Sequence, residues 1–210
     1  MKPTLLIATT NPAKLAEYRL LLRDYPLDLL SLDAVGIGES PAETGATFRE
    51  NALLKARYYF SRSGLPTLAD DGGLEVDALG GAPGVASHRW LGPDADDAAL
   101  AQAVVERVNA LENPPRGARL RCALALLYRR GTELVEGVAE AAFEGVVAPR
   151  VYVPIRRGFP YRSVVYLPER GRYVAELGEE EEARISQRRI AIERARHYLR
   201  EIAASRPPAC

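Results

Sequence analysis

The chain has 210 residues, 47% of them hydrophobic, which is long enough for one domain with a buried core. Its 28 basic and 28 acidic residues cancel, so no overall field favours a nucleic acid polymer or an anionic membrane. Two cysteines, Cys122 and Cys210, support neither a disulfide framework nor a metal site, and no apolar run approaches the roughly 18 residues of a membrane span. We therefore expect a cytoplasmic protein with a single domain over residues 1–210.

Predicted strands and helices alternate in the first half of the chain. The strands are apolar runs at residues 4–9, 27–32 and 65–70, and the helices occupy residues 11–25, 47–64 and 94–112. Asn11 is suited to cap the first helix, and Thr44 or Thr47 to cap the second. On the second helix Asn51 and Lys55 are four residues apart, so they share a face.

The second half predicts antiparallel strands and then one long helix. Alternating apolar residues in RLRCALALLY and in TELVEGVAEAAFEGVV predict a hairpin that turns at Arg130 and Gly131. Residues 179–204 predict a single amphipathic helix, and SRPPAC at residues 205–210 predicts a frayed tail. Together these segments predict an α/β fold with a mixed sheet.

Asp70 and Asp71 close an apolar strand and are followed by Gly72 and Gly73. Adjacent side chains of an extended chain point to opposite faces, but the glycines would free the backbone to turn and bring both carboxylates to one site. Buried carboxylates without partners are costly, and a divalent cation would offset that cost. A surface Asx turn is the alternative interpretation of this pattern.

Lys14 lies in the first turn of a predicted helix that directly follows a strand. A cation at the positive end of a helix forms a small phosphate site. The segment TTNPAK lacks the glycines and the Lys-Ser/Thr ending of a Walker loop, so a solvent-exposed lysine is the alternative. With His88 and His197 as the only histidines and no serine or cysteine in a nucleophile motif, the sequence argues against a Ser/His/Asp hydrolase.

Three segments taken together resemble the inosine/xanthosine triphosphate pyrophosphatase family. They are TTNPAK, ETGATFRENALLKA and ADDGGLEVDALGGAPGVASHRW at residues 9–14, 43–56 and 69–90, with weaker similarity in GFPY and ISQRRIA. The resemblance implies an elongated mixed sheet with helices, in two lobes around a central substrate cleft. It also implies a Mg²⁺-dependent homodimer that hydrolyses nucleoside triphosphates such as ITP, dITP and XTP to the monophosphate and pyrophosphate, removing deaminated purine nucleotides from the pool.

The resemblance further implies roles for individual residues. It makes Asp71 the catalytic carboxylate, and it makes Glu43, Asp70 and Asp71 the metal-site residues. The implied substrate-binding residues are Thr9, Asn11, Lys14, Lys55, Phe159, Tyr161, Gln187 and Arg188. An aromatic ring from residue 159 or 161 would stack on the base, and the arginine would donate to a keto oxygen.

Several positions depart from the family pattern. Gly72 replaces a serine, the Gly-Phe-Gly-Tyr-Asp-Pro loop is GFPYRS with Pro160, Arg162 and Ser163, the histidine of Ser-His-Arg is Gln187, and a family lysine falls on Glu182. Because an amide both donates and accepts, Gln187 is expected to relax base selectivity. Glu182 is expected to weaken triphosphate binding unless Arg184 or a metal compensates its charge.

Two other functions fit parts of this pattern. A nucleotide-binding or regulatory protein with slow turnover would keep the phosphate site, and the changes at Arg162, Glu182 and Gln187 favour it. A septum-inhibitor-type pyrophosphatase acting on pyrimidine or modified nucleotides is the other alternative, although ENALLKA and PGVASHRW point away from it. The retained lysines and carboxylates favour the enzyme.

Overall fold

The computed structural model describes residues 2–205, in which strands and helices follow the predicted α/β order. The strands are β1 (Thr4–Ile7), β2 (Asp28–Ser31), β3 (Thr67–Val76), β4 (Gly117–Arg130), β5 (Glu133–Val147), β6 (Val165–Leu167) and β7 (Arg172–Tyr173). The α-helices are α1 (Pro12–Leu21), α2 (Phe48–Ser63), α3 (Asp97–Asn109), α4 (Glu179–Ile185), α5 (Gln187–Arg194) and α6 (Arg196–Ala204). Residues 206–210 of the predicted tail, with Cys210, lie outside the described part.

The strands form one mixed sheet in the order β2-β1-β3-β4-β5-β6-β7. β1 pairs in parallel with β2 and β3, with Leu6 opposite Leu30 and Thr67. β6 pairs antiparallel with both β5 and β7. The neighbouring strands β4 and β5 are joined by only Gly131 and Thr132, a connection that requires a hairpin. The predicted mixed α/β fold is confirmed.

Local capping signals set the start of α1 and both ends of α2 as predicted, whereas α1 ends at Leu21 and not at residue 25. The Asn11 side chain accepts from the backbone N–H groups of Ala13 and Lys14 at the start of α1. Thr47 caps α2, and Gly64 ends it with φ of 67°, a left-handed conformation that glycine adopts without steric cost.

The strand that carries the paired aspartates is longer than predicted. β3 continues through Asp70 and Asp71 to Val76, so the predicted turn at the two glycines is wrong, and the alternative of a surface Asx turn is wrong too. A glycine inside a strand often marks close approach of another segment. Here a Cβ on Gly73 would lie 2.0 Å from Ser87 Oγ, which accepts from the Leu74 N–H at 3.0 Å.

The C-terminal segment forms three helices, so the prediction of one long helix is wrong. The chain is extended at Ser186, with ψ of 157°, and α5 and α6 are separated at Ala195. On either side of Ser186 a buried charged side chain is tied to a partner, Glu182 to Arg162 and Arg188 to Asp70. We attribute the break to these ion pairs, because buried charges without partners cost more than a helix interruption.

The described residues divide into two compact units, each with its own buried side chains. The first comprises residues 2–71, 122–141 and 188–205, and its buried residues include Leu6, Tyr18, Leu126 and Leu199. The second comprises residues 72–121 and 142–187, and its core cluster includes Leu74, Val104, Leu120 and Val165. The arrangement of two lobes around a cleft stays a prediction. Within residues 2–205, every helix is too short or too polar to cross a membrane.

Candidate active site

Asp70 lies in a buried charge network of the first unit. Its Oδ1 accepts from Lys14 Nζ at 3.1 Å, and its Oδ2 accepts from Arg188 Nε at 3.0 Å and Nη2 at 2.9 Å. The Cys122 thiol also donates to Oδ2, with Sγ at 3.9 Å. The side chains of Asp70, Lys14 and Arg188 are only 1%, 7% and 4% exposed. The carboxylate of Asp70 is therefore paired with two cationic side chains, and all three are shielded from water.

Burial and the neighbouring charges have opposite effects on the pKa of Asp70. Burial alone would raise the pKa of Asp70, but Lys14, Arg188 and Lys55 outweigh it and hold the pKa well below the usual 3.8. Burial, aided by Arg188 and Lys55 and opposed by Asp70, lowers the pKa of Lys14 from 10.5. Burial, together with the charge of Asp70, raises the pKa of Cys122 to about 12, so this thiol stays protonated near neutral pH.

Asp71, the next residue of β3, has a separate set of partners. Its Oδ1 accepts from Lys55 Nζ at 2.9 Å and its Oδ2 from Asn51 Nδ2 at 3.3 Å. Lys55 Nζ also donates to Glu43 Oε1 at 3.0 Å. Burial lowers the pKa of Lys55, but Asp71, Asp70 and Glu43 outweigh burial and raise it above 10.5. The predicted common face of Asn51 and Lys55 is confirmed, and it points two donors at one carboxylate.

The segment that carries Glu43 is anchored to the start of α2. The Gly45 N–H donates to Asn51 Oδ1 at 2.8 Å, and a Cβ on Gly45 would lie 2.7 Å from that same oxygen. Glycine is therefore needed at this contact. With its oxygen accepting from Gly45, the Asn51 amide presents its nitrogen to Asp71, so the loop also fixes the orientation of this donor.

Thr9 and Asn11 lie just before α1, and Lys14 lies in the first turn of this helix. Thr9 Oγ1 accepts from the Asn11 N–H at 3.2 Å. Asn11 Oδ1 accepts from the N–H groups of Ala13 at 2.9 Å and Lys14 at 3.2 Å. The amide oxygen is an acceptor and serves as the cap, which leaves the Nδ2 group as the side-chain donor of Asn11.

Sequence reasoning missed Glu17 and the contact between Arg188 and Asp70. Glu17 Oε2 accepts from Arg188 Nη1 at 3.2 Å, so the guanidinium lies between two carboxylates. Glu17 follows Lys14 by three residues on α1, and this helical spacing is the signal that would have placed it on the same face. The base contact implied for Arg188 stays a prediction.

Phe159 and Tyr161 have different environments in the second unit. Tyr161 belongs to the core cluster, and its hydroxyl donates to the Ser87 carbonyl oxygen at 2.5 Å. Burial raises the pKa of Tyr161. Phe159 is half-buried, and the guanidinium of Arg162 lies 3.5 Å from its ring centroid. Of the two aromatic residues, Phe159 is therefore the better candidate for stacking on a base.

Glu182, expected to repel a triphosphate, is paired with two arginines of its own unit. Its Oε1 lies 2.5 Å from Arg162 Nε and its Oε2 lies 2.7 Å from Arg156 Nη1. The charge of Glu182 is thus compensated by Arg162 and Arg156 rather than by Arg184, since side chains two residues apart on a helix do not face each other. Gln187 is buried at the first residue of α5.

The carboxylates of the first unit suit a hard divalent cation. Lys55 Nζ lies within 3.0 Å of one oxygen of Glu43 and one of Asp71, so the two carboxylates already share one cationic partner, the lysine ammonium group. Among residues 2–205, no three or more His, Cys, Asp or Glu side chains form a ready metal cluster. A cation bound largely through substrate phosphates needs only one or two protein carboxylates, which these residues supply.

These observations define an α/β protein in which Asp70 and Asp71 of β3 and Glu43 are paired with Lys14 and Lys55. Residues 5–198 match the model of the Ham1 family, and the chain belongs to this family. The resemblance found in the motifs is thereby confirmed.

Relatives and solved structures agree with this assignment. The dITP/XTP pyrophosphatase of Yersinia pseudotuberculosis serotype I (strain IP32953) is 38% identical over 198 residues, covering 94% of this chain and 98% of the relative. The dITP/XTP pyrophosphatase of Shigella flexneri is 40% identical over 187 residues, covering 89% and 92%. The structure of a HAM1 protein from Coxiella burnetii superposes with a TM-score of 0.82 at 36% identity, covering 95% of this chain and 99% of that one.

Proposed function

We propose that this protein hydrolyses non-standard purine nucleoside triphosphates, such as ITP, dITP and XTP, to the monophosphate and pyrophosphate. Curated relatives named for dITP and XTP match nearly the whole chain. The observation that carries the proposal is the convergence of Asp71 and Glu43 on Lys55, in the same unit as the Asp70 and Lys14 pair. The changes that suggested a regulatory protein leave these residues intact.

Lys14 and Lys55 are the proposed contacts of the triphosphate. Each ammonium group has three donors, so it can keep a carboxylate partner while donating to a phosphate oxygen. Thr9 and Asn11 lie at the N-terminal end of α1, whose dipole favours an anion. Arg188 holds Asp70 from the side opposite its bond to Lys14, through the other carboxylate oxygen.

Asp71 is the proposed catalytic residue. A carboxylate within hydrogen-bond reach of a water can orient it and take its proton while the water oxygen attacks the α-phosphorus. As that bond forms, the bond from the α-phosphorus to the bridging oxygen breaks, and pyrophosphate leaves with the electron pair. Asn51 and Lys55 each hold one oxygen of Asp71, so its carboxylate is fixed in orientation before substrate binds.

Mg²⁺ is the proposed cofactor, held by Glu43, Asp70 and Asp71 together with substrate phosphates. When bound, it would offset the negative charge of the triphosphate. Each lysine would keep a carboxylate partner and donate a further N–H to a phosphate oxygen. All three carboxylates offer the oxygen ligands that Mg²⁺ prefers.

We also propose that the protein is a homodimer in the cytoplasm. The segment RVYVPIRRGFPYRSVVYL at residues 150–167 is rich in apolar and aromatic residues, and its Val153 is 71% exposed. A specific interface buries at least about 1,000 Å² in total, and a segment of this kind is suited to contribute to one.

A substrate panel tests the activity. ITP, dITP, XTP, ATP and GTP are each incubated with the purified protein and Mg²⁺, and released pyrophosphate is followed. We expect turnover of the deaminated purine nucleotides and its loss in Asp71→Asn, which separates the protein's own activity from a contaminating hydrolase. Absence of pyrophosphate release from every nucleotide would refute the proposal.

A further inference from the structure

Two residues that depart from the family pattern contact each other in the second unit. Arg162 Nε donates to Glu182 Oε1 at 2.5 Å, and the two side chains are 4% and 5% exposed. The resemblance places an aspartate at position 162 and a lysine at position 182, so both signs are exchanged while the opposite charges are kept. Because a lone buried charge is strongly unfavourable, each of these two side chains requires the other as its partner.

The pair is also in contact with the candidate base-stacking residue. The guanidinium of Arg162 lies 3.5 Å from the ring centroid of Phe159, a distance at which a cation is attracted to an aromatic face. The other oxygen of Glu182 accepts from Arg156 Nη1 at 2.7 Å, and Arg156 also donates to the Leu177 carbonyl oxygen at 3.3 Å. Arg162 is thus held between the aromatic ring and an anchored carboxylate.

The backbone around Phe159 is fixed on both sides. Gly158, at φ of 81°, donates its N–H to Asp97 Oδ2 at 2.6 Å, and Pro160 follows the ring-bearing residue. The orientation of the ring itself depends on its side-chain torsions, and Arg162 packs against one of its faces. A base that stacks on Phe159 would therefore use the opposite face.

We propose that Arg162 and Glu182 are positioning residues for the nucleobase. Glu182 holds Arg162, Arg162 fixes the ring of Phe159, and the opposite face of the ring stacks on the purine. The inference rests on the proposed function. Since the pair acts through the base and not through the phosphates, it controls nucleotide affinity and leaves the chemical step unchanged.

The test compares ITP with inorganic tripolyphosphate, which has the phosphate chain but no base. Arg162→Met/Glu182→Gln removes both charges together, so neither is stranded, and the glutamine can still accept from Arg156. Arg162→Lys keeps the ion pair but loses the planar group over the ring. The matched control is Arg170→Met/Glu181→Gln, because this pair of the same unit is exposed and lies at 3.0 Å. Measured are kcat and KM for ITP, the inhibition constant of tripolyphosphate, and thermal stability.

In both test variants we expect KM for ITP to rise about five- to tenfold, the effect of a weakened aromatic stack, with kcat within about twofold of wild type. The tripolyphosphate constant should stay the same, and the exposed-pair control should change none of these values. An unchanged KM in the double variant would overturn the inference, as would a parallel weakening of ITP and tripolyphosphate. If the wild type turns over no nucleotide, the proposed function fails, and calorimetric affinities decide this inference separately. Selective weakening of ITP then supports it, and equal or absent weakening overturns it.

Discussion

Replacing Asp71 by asparagine removes one negative charge while keeping the size of the side chain. The new amide oxygen can still accept from Lys55, which also keeps Glu43 as an anionic partner at 3.0 Å. No buried cation is left without a counter-ion, but the new amide nitrogen faces Asn51 Nδ2 and that hydrogen bond is lost, so we expect a loss of about 1.5–3 kcal/mol in the free energy of unfolding, the range of one hydrogen bond to a charged group. In a protein of this size that lowers Tm by about 3–12 °C.

The effect on turnover should be larger than the effect on stability. An amide cannot take a proton from the attacking water, and loss of a general base typically lowers the rate by about a hundredfold, or about 2.7 kcal/mol of activation free energy. The KM for nucleotide should change little, because the lost interaction acts mainly in the transition state.

Asp70→Asn is the matched control, since it is the neighbouring residue of the same buried strand with different partners. It removes the counter-ion of Lys14 and one of the two carboxylates that hold Arg188. Breaking a buried pair costs about 3–5 kcal/mol, so Tm should fall by about 6–20 °C. This variant loses stability as well as activity, whereas Asp71→Asn loses mainly activity.

The assay follows pyrophosphate release at saturating ITP for the three proteins and their thermal unfolding by circular dichroism. A maximal rate of Asp71→Asn within a few-fold of wild type would remove Asp71 from the chemical step. Equal losses of Tm in the two variants would show that the buried pairs around Asp70 do not differ in energy from the contacts of Asp71.

Three further predictions concern pH, selectivity and assembly. Because burial lowers the pKa of Lys14 and only its protonated form carries charge, kcat/KM should fall as pH rises through a value below 10.5. Lys14→Arg should move this fall in kcat/KM to higher pH. Lys55→Arg should leave it in place, because the carboxylates raise the pKa of Lys55. If Lys14→Arg does not move the fall in kcat/KM, its assignment to Lys14 is wrong. Gln187→His should increase the preference for ITP over ATP in kcat/KM by about ten- to a hundredfold, and an unchanged ratio would show that Gln187 does not read the base. Light scattering at micromolar concentration should give twice the chain mass of 23.0 kDa, and a mass of one chain would contradict the dimer.

Local chemistry made much of the fold predictable. The caps at Asn11 and Thr47 and the end of a helix at Gly64 depend on residues within one turn, so they can be read from sequence. The length of β3 cannot be read in this way, because Gly73 carries a turn signal locally but serves the close approach of Ser87. Tertiary packing decides between those two uses of glycine.

The same distinction applies to the candidate site, where some contacts follow from local spacing and others depend on tertiary packing. The shared face of Asn51 and Lys55 follows from helical spacing, and the structure directs both at Asp71. The contact between Arg188 and Asp70 joins residues 118 positions apart, and no local periodicity encodes it. Motif resemblance identified both residues but gave them separate roles, one at the base and the other at the metal.

The departures from the family pattern show why single positions mislead when they are interpreted one at a time. Taken alone, Glu182 predicted repulsion of a triphosphate, and Arg162 favoured a regulatory protein with slow turnover. The structure joins them in one buried ion pair and adds Arg156, so two positive charges face one negative charge in this part of the second unit. The expected electrostatic penalty on triphosphate binding therefore loses its basis. The proposed base contacts are then the ring of Phe159, which the pair positions, the amide of Gln187 and the guanidinium of Arg188. Selectivity should follow these residues rather than the charge of Glu182.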